Sequence, residues 1–170
     1  MCREEINERK PRERKPKTAQ QALQSLMRLC ARSEKSSGDA LRLMQQWQVP
    51  QSERQGVLDK LLKDRFIDDS RYADAYVREK SRLSGWGVRK IAMQLRQKGV
   101  SQDVIVEALK QLDSDVELPR LVEKLRRKAR TTKYSSDYEL RGKLLRYALS
   151  LGFDYDMAQR AVEECTSQDL

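Results

Sequence analysis

The chain has 170 residues, 38% hydrophobic and 36% charged, and 35 Lys+Arg against 26 Asp+Glu leave a net charge of +9. That length suits one domain or an array of small units, and the apolar fraction is too high for a wholly disordered chain. The absence of histidine excludes His-based triads, a His general base and His metal sites. A basic balance favours a polyanionic partner instead, because cationic surface binds phosphate backbones with release of counterions.

Residues 1–17 read as a disordered basic tail. Arg3, Arg9, Lys10, Arg12, Arg14, Lys15 and Lys17 outnumber four glutamates, and Pro11 and Pro16 interrupt any helix. The tail lacks the apolar core of a signal peptide, and no later run approaches the roughly 18 apolar residues of a membrane span. The expectation is a cytoplasmic protein with no membrane partner. Cys2, Cys30 and Cys165 form no CxxC pair, so neither a zinc knuckle nor a disulfide framework is expected.

From Thr18 onward the apolar residues recur with helical spacing. Ala22, Leu23, Leu26, Met27 and Cys30 make one stripe, and Val57, Leu58, Leu61 and Leu62 another. Tyr72, Ala75 and Tyr76 follow, and then Val88, Ile91 and Leu95 on a helix opened by Trp86. Val104, Ile105, Ala108, Leu109 and Leu112 form the next stripe. Leu118, Leu121, Val122 and Leu125 come after it, and Leu140, Leu144, Ala148 and Leu151 last. Sustained strand alternation is absent, which predicts an all-α fold.

Internal repetition organises these helices. Leu43-Met44, Val49, Val57-Leu58 and Leu61 align without gaps with Gln94-Leu95, Val100, Ala108-Leu109 and Leu112. Both align with Tyr147-Ala148, Phe153, Ala161-Val162 and Cys165. Gly99 and Gly152 precede the central turn residue, where a helix end wants tolerance of positive φ. Ser101 and Asp154 follow it as N-caps. The first unit departs, with Gln48 in place of glycine and Pro50 in place of the cap. The reading is three tandem three-helix modules in an elongated, curved arrangement, at 18–66, 67–113 and 114–166, with 167–170 as a C-terminal tail.

The charge is concentrated by helix. Arg71–Lys98 carries eight basic residues against Asp74 and Glu79, and Arg120–Lys133 seven against Glu123, whereas Ser101–Glu117 and Asp154–Leu170 are acidic. A basic face presented to a polyanion accounts for this alternation. Its candidate contacts are Arg71, Arg78, Lys80, Arg82, Trp86, Arg89, Lys90, Arg96 and Lys98, then Arg126, Arg127, Lys128 and Arg130.

Two stretches are distinctive together. The first runs Leu61-Leu62-Lys63-Asp64-Arg65-Phe66-Ile67-Asp68-Asp69-Ser70-Arg71-Tyr72-Ala73-Asp74-Ala75-Tyr76, and the second from Gly85-Trp86-Gly87-Val88-Arg89-Lys90-Ile91 to Leu95-Arg96-Gln97-Lys98-Gly99-Val100. In order and separation they resemble the RecX family of bacterial recombination regulators, and the three-module organisation resembles it too. The resemblance implies a negative modulator of the RecA recombinase that lodges in the groove of the RecA–DNA filament. Filament extension, strand exchange, ATP hydrolysis and co-protease activity would be dampened, in DNA repair and the SOS response. It also implies RecA and single- or double-stranded DNA as sequence-nonspecific partners, a monomeric regulator, and no catalytic residues or cofactor.

Two rival readings are weaker. A helix-turn-helix reader of DNA would place the helices after Gly99 and Gly152 in a phosphate-walled groove, yet both are acidic. An enzyme without histidine would need a Ser–Lys pair, a reactive thiolate or paired carboxylates. Cys30 and Cys165 instead sit on apolar stripes, and Asp68-Asp69 precede a helix as caps. Walker-type glycine loops are absent as well. The remaining alternative is a sequence-nonspecific DNA-binding helical protein acting without RecA.

Overall fold

The computed structural model describes residues 16–167. Among these the secondary structure is helical throughout, with α1 Ala19–Cys30, α2 Ser37–Gln46, α3 Gln51–Lys63, α4 Asp69–Glu79, α5 Val88–Gln97, α6 Gln102–Leu109, α7 Ser114–Thr131, α8 Asp137–Ser150 and α9 Tyr155–Ser167. One π-helical turn, Lys80–Ser84, continues α4. Several helix starts are fixed by side chains. Thr18 and Gln21 form a capping box on α1, and Ser36, Asp68 and Ser136 accept from backbone amides of α2, α4 and α8. Asp154 accepts from the Met157 amide at 2.8 Å, as expected of a cap. Ser101 holds the N-cap position of α6 but makes no side-chain cap bond.

The helices bury three separate clusters. The first joins Ala22, Leu26, Ala40, Met44, Val49, Val57, Leu58, Leu61 and Ile67. The second joins Tyr72, Ala73, Val77, Ile91, Ala92, Leu95, Val100, Ile105 and Ala108. The third is built on Leu121, Leu125, Leu144, Ala148, Phe153, Ala161 and Cys165. Every extensive helix–helix contact falls within α1–α3, α4–α6 or α7–α9, so each trio folds around its own small core. Each fully buried Leu or Ile in them contributes about 1.5–3 kcal/mol of transfer free energy. The repeat residues Val49, Val100 and Phe153 are all buried, each seated beneath the turn that joins the second and third helices of its trio.

Val88 corrects the sequence reading, since it is 47% exposed rather than part of the core stripe. The start of α5 projects beyond its own core. Trp86 fills the space there, packing against both the second and third clusters. Lys17 also departs from its assignment to the tail. Its amide donates to the Trp47 carbonyl at 2.9 Å, and its ammonium lies 3.7 Å from the centre of the Trp47 ring. The rest of the predicted tail up to residue 15, Cys2 included, lies outside the described residues, as do 168–170. Ser167 is the last residue of α9.

The trios are joined in the same way twice. The Ser36 hydroxyl at the start of α2 donates to the Lys98 carbonyl in the α5–α6 turn at 2.6 Å, and Gly38 lies against that turn. A Cβ on Gly38 would meet the Lys98 carbonyl oxygen at 2.3 Å and Gly99 Cα at 2.9 Å. At the start of α5 the Gly87 amide donates to the Leu151 carbonyl at 2.8 Å and the Arg89 amide to the Gly152 carbonyl at 3.0 Å. A Cβ on Gly87 would meet the Gly152 carbonyl oxygen at 2.6 Å. Backbone packs directly on backbone at both joints, which requires glycine on each side.

Candidate nucleic-acid interface

The basic residues singled out in the sequence separate into distinct sets. Arg71 and Lys98 belong to the joint between the first two trios. Arg71 grips Glu34 through Nε at 2.7 Å and Nη2 at 3.0 Å, and Lys98 Nζ lies 3.1 Å from Asp39 Oδ1. Burial of Asp39 opposes its ionisation, but Lys98 and Arg42 outweigh that and hold its carboxyl below the usual range. Asp69 adds a further link by accepting from the Ser37 amide at 2.8 Å.

A second set surrounds Trp86. Lys90 Nζ lies 4.6 Å from the ring centre and Lys80 Nζ 5.6 Å, and Lys90 also donates to the Ser150 carbonyl at 3.2 Å. Cations facing an aromatic ring are held by its quadrupole. Trp86 is therefore a packed anchor between two cores, carrying cations on its outer surface. Tyr72 and Tyr76 stack with ring centres 5.9 Å apart. They pack on the second core, and burial pushes the Tyr72 phenol up to about 12.

The third set forms a groove between the π-helical turn and α7. Arg82 and Leu83 come from one side, and Arg120, Lys124 and Arg127 from the other, with Ser81, Gly85, Pro119 and Glu123 completing a lining around about 460 Å³. Arg78 and Arg82 line an adjoining hollow together with Arg120. Arg120 bonds the buried carboxylate of Glu117 at 3.2 Å, and burial raises the Glu117 carboxyl despite that partner. Lys124 Nζ donates to the Ser84 carbonyl at 2.6 Å. Burial lowers its ammonium, and Arg127 and Lys90 lower it further. Arg127 is paired with Glu123 at 3.1 Å on the exposed face.

The remaining candidates are more scattered. The Arg89 side chain is exposed at the start of α5, and Arg96 bonds Gln102 at 3.0 Å. Lys128 lies 5.3 Å from the Tyr147 ring centre. Arg126 and Arg130 stand on the second half of α7. Arg120 and Lys124 were not among the candidates, because their role depends on α7 lying beside the π-helical turn. The one signal in the sequence was Gly85, which takes a φ of +63° and, lacking a Cβ, leaves the space that the Lys124 side chain fills. Among the described residues, no cluster of three or more His, Cys, Asp or Glu could hold a metal, and no helix is long and apolar enough to cross a membrane.

Comparison with known proteins settles the ancestry. The family model for the second three-helix domain of RecX matches residues 68–109, and that for the third matches 115–162. The chain belongs to the RecX family. Its relatives include the regulatory protein RecX of Clostridium botulinum (strain Eklund 17B / Type B), 35% identical over 115 residues, which are 66% of this chain and 53% of that one. RecX of Mycolicibacterium smegmatis is 34% identical over 110 residues, 62% of this chain and 58% of its own. The chain thus spans about half the length of the curated relatives it matches. The crystal structure of RecX from Lactobacillus salivarius superposes with a TM-score of 0.72 at 19% identity, covering 86% of this chain and 96% of that one. A second crystal structure, of regulatory protein RecX, also gives 0.72, at 24% identity over 89% and 72%. These two likenesses speak for the fold, and the family models and relatives for the family.

Proposed function

We propose that the chain binds the RecA–DNA filament and negatively modulates RecA, restraining filament extension, strand exchange, ATP hydrolysis and co-protease function. Membership of a family of regulatory proteins supports the regulatory part. The observation that carries the filament part is the basic groove, which cations of the second and third trios form together. A surface distributed over two trios held by a fixed joint suits a long, repetitive polyanionic target better than a single small ligand. On this reading the chain acts as a monomer in the cytoplasm, without catalysis or cofactor, and its modules are 18–66, 67–113 and 114–166. DNA, single- or double-stranded, is contacted without sequence preference, since phosphates carry no sequence information.

A titration of the full chain into RecA hydrolysing ATP on single-stranded DNA tests this reading. Half-inhibition well below one chain per RecA subunit is expected. Inhibition that tracks coverage of the DNA by the chain would favour the other reading, a DNA-binding helical protein that acts without RecA.

A further inference from the structure

We infer that the groove between the π-helical turn and α7 is a discrete cradle for the phosphodiester backbone, with Arg82, Lys124 and Arg127 as its phosphate contacts. This rests on the proposed binding of DNA and assigns that binding to one place. Four independent features converge there. Arg82, Arg120, Lys124 and Arg127 reach one groove from two trios, with Glu123 the single acidic residue in its lining. Gly85 lies against Lys124 so closely that a Cβ would come within 2.6 Å of its Nζ, and this leaves the ammonium room to bond the Ser84 carbonyl in the groove wall. Burial first, and then the neighbouring cations Arg127 and Lys90, disfavour the charged form of Lys124, and an entering anion relieves the repulsive part. Finally, the π-helical turn holds Leu83 82% exposed, an apolar side chain beside the cations and available to a sugar or base. Insertions of this kind in helices are frequent at functional sites.

The rival use for these cations is internal pairing, and it is incomplete. Arg120 serves Glu117 and Arg127 serves Glu123. Lys124 bonds only a neutral carbonyl, and the groove keeps a surplus of positive charge. A phosphodiester chain supplies one anion per nucleotide in a row, which matches cations lined along one helix face and facing Arg82 across the groove.

The test compares two full-length variants of equal charge. One carries Arg82→Gln, Lys124→Gln and Arg127→Gln. The other carries Arg28→Gln, Lys60→Gln and Lys63→Gln, exposed cations of the first trio. Binding of a fluorescein-labelled oligothymidylate and of a duplex of equal length is followed by anisotropy across a salt series. The groove variant should lose about tenfold or more in affinity, with its salt slope reduced by about 2, while the first-trio variant stays within about twofold of wild type. Loss on both oligonucleotides marks the shared backbone. Loss on the single strand alone places the groove on unpaired DNA, and loss on the duplex alone on paired DNA. Equal losses in the two variants, or wild-type affinity in the groove variant, would overturn the cradle, as would failure of the wild-type chain to bind either oligonucleotide. Inhibition of RecA is read separately on the same proteins. A wild-type chain that binds DNA through the groove yet leaves RecA unaffected would end the filament reading and keep the cradle.

Discussion

The turn between α2 and α3 and the turn between α8 and α9 have the same shape but not the same surroundings. Both pass through a positive φ, at Gln48 with 56° and at Gly152 with 91°, and both seat a buried residue next, Val49 or Phe153. At Gly152 the start of α5 presses in, so that a Cβ would meet Lys90 N at 2.4 Å and Lys90 Cβ at 2.3 Å. At Gln48 the segment that approaches is the entry to α1 of the same trio, one residue before its N-cap Thr18, and not the helix start of another trio. The equivalent carbonyl, that of Trp47, is met instead by the Lys17 amide, and the Gln48 side chain is exposed. Positive φ alone is tolerable for glutamine at modest cost. Glycine becomes necessary where a neighbouring segment also occupies the place of the Cβ, as Lys90 does at Gly152. The missing glycine of the first unit therefore marks a turn on which, among the described residues, no second trio docks, not a decayed repeat.

Substitutions at the joints can break this comparison. Gly152→Ala, which combines strain at positive φ with collision at Lys90, should cost roughly 2–5 kcal/mol in urea unfolding. Gly87→Ala isolates the collision, because its φ of −84° suits any residue. A loss of roughly 1–3 kcal/mol is expected there, and no loss would mean that the joint yields freely. At the other joint, Asp39→Asn removes the partner of Lys98 and Arg42 and should cost about 1 kcal/mol at neutral pH. Since the fold depresses the Asp39 carboxyl, that contribution is present above the ordinary carboxylate pKa. It disappears as the pH falls through the depressed value, so the variant and wild type should converge in acid. The smallest effect belongs to Gln48→Ala, within about 0.5 kcal/mol, because the φ requirement is unchanged and nothing packs on the side chain. A cost there equal to that of Gly152→Ala would refute the distinction drawn between the two turns.

Much of this was legible in the sequence, and the reason is locality. Stripes such as Leu118, Leu121, Val122 and Leu125 mark a buried helix face from spacing alone, and all four are buried. Val49, Val100 and Phe153 announced the repeat. The site was legible only as composition, since ion pairing is set by the joints. Arg71 meets Glu34 and Lys98 meets Asp39 across long stretches of chain, and these contacts follow from how the trios dock. Arg120 and Lys124 gain their place from the same docking, one joint further on. Val88 misled because helical spacing identifies a face without showing where the neighbouring core ends.

The central claim is that this jointed basic array acts on an assembled RecA filament rather than on free DNA. Order of addition tests it most directly. RecA is first assembled on single-stranded DNA with ATP, the full chain is then added at a small fraction of the RecA subunits, and the rate of ATP hydrolysis is followed. The account predicts a fall in rate nearly as large as when the chain is present from the start. Complete protection of the preassembled filament would contradict it.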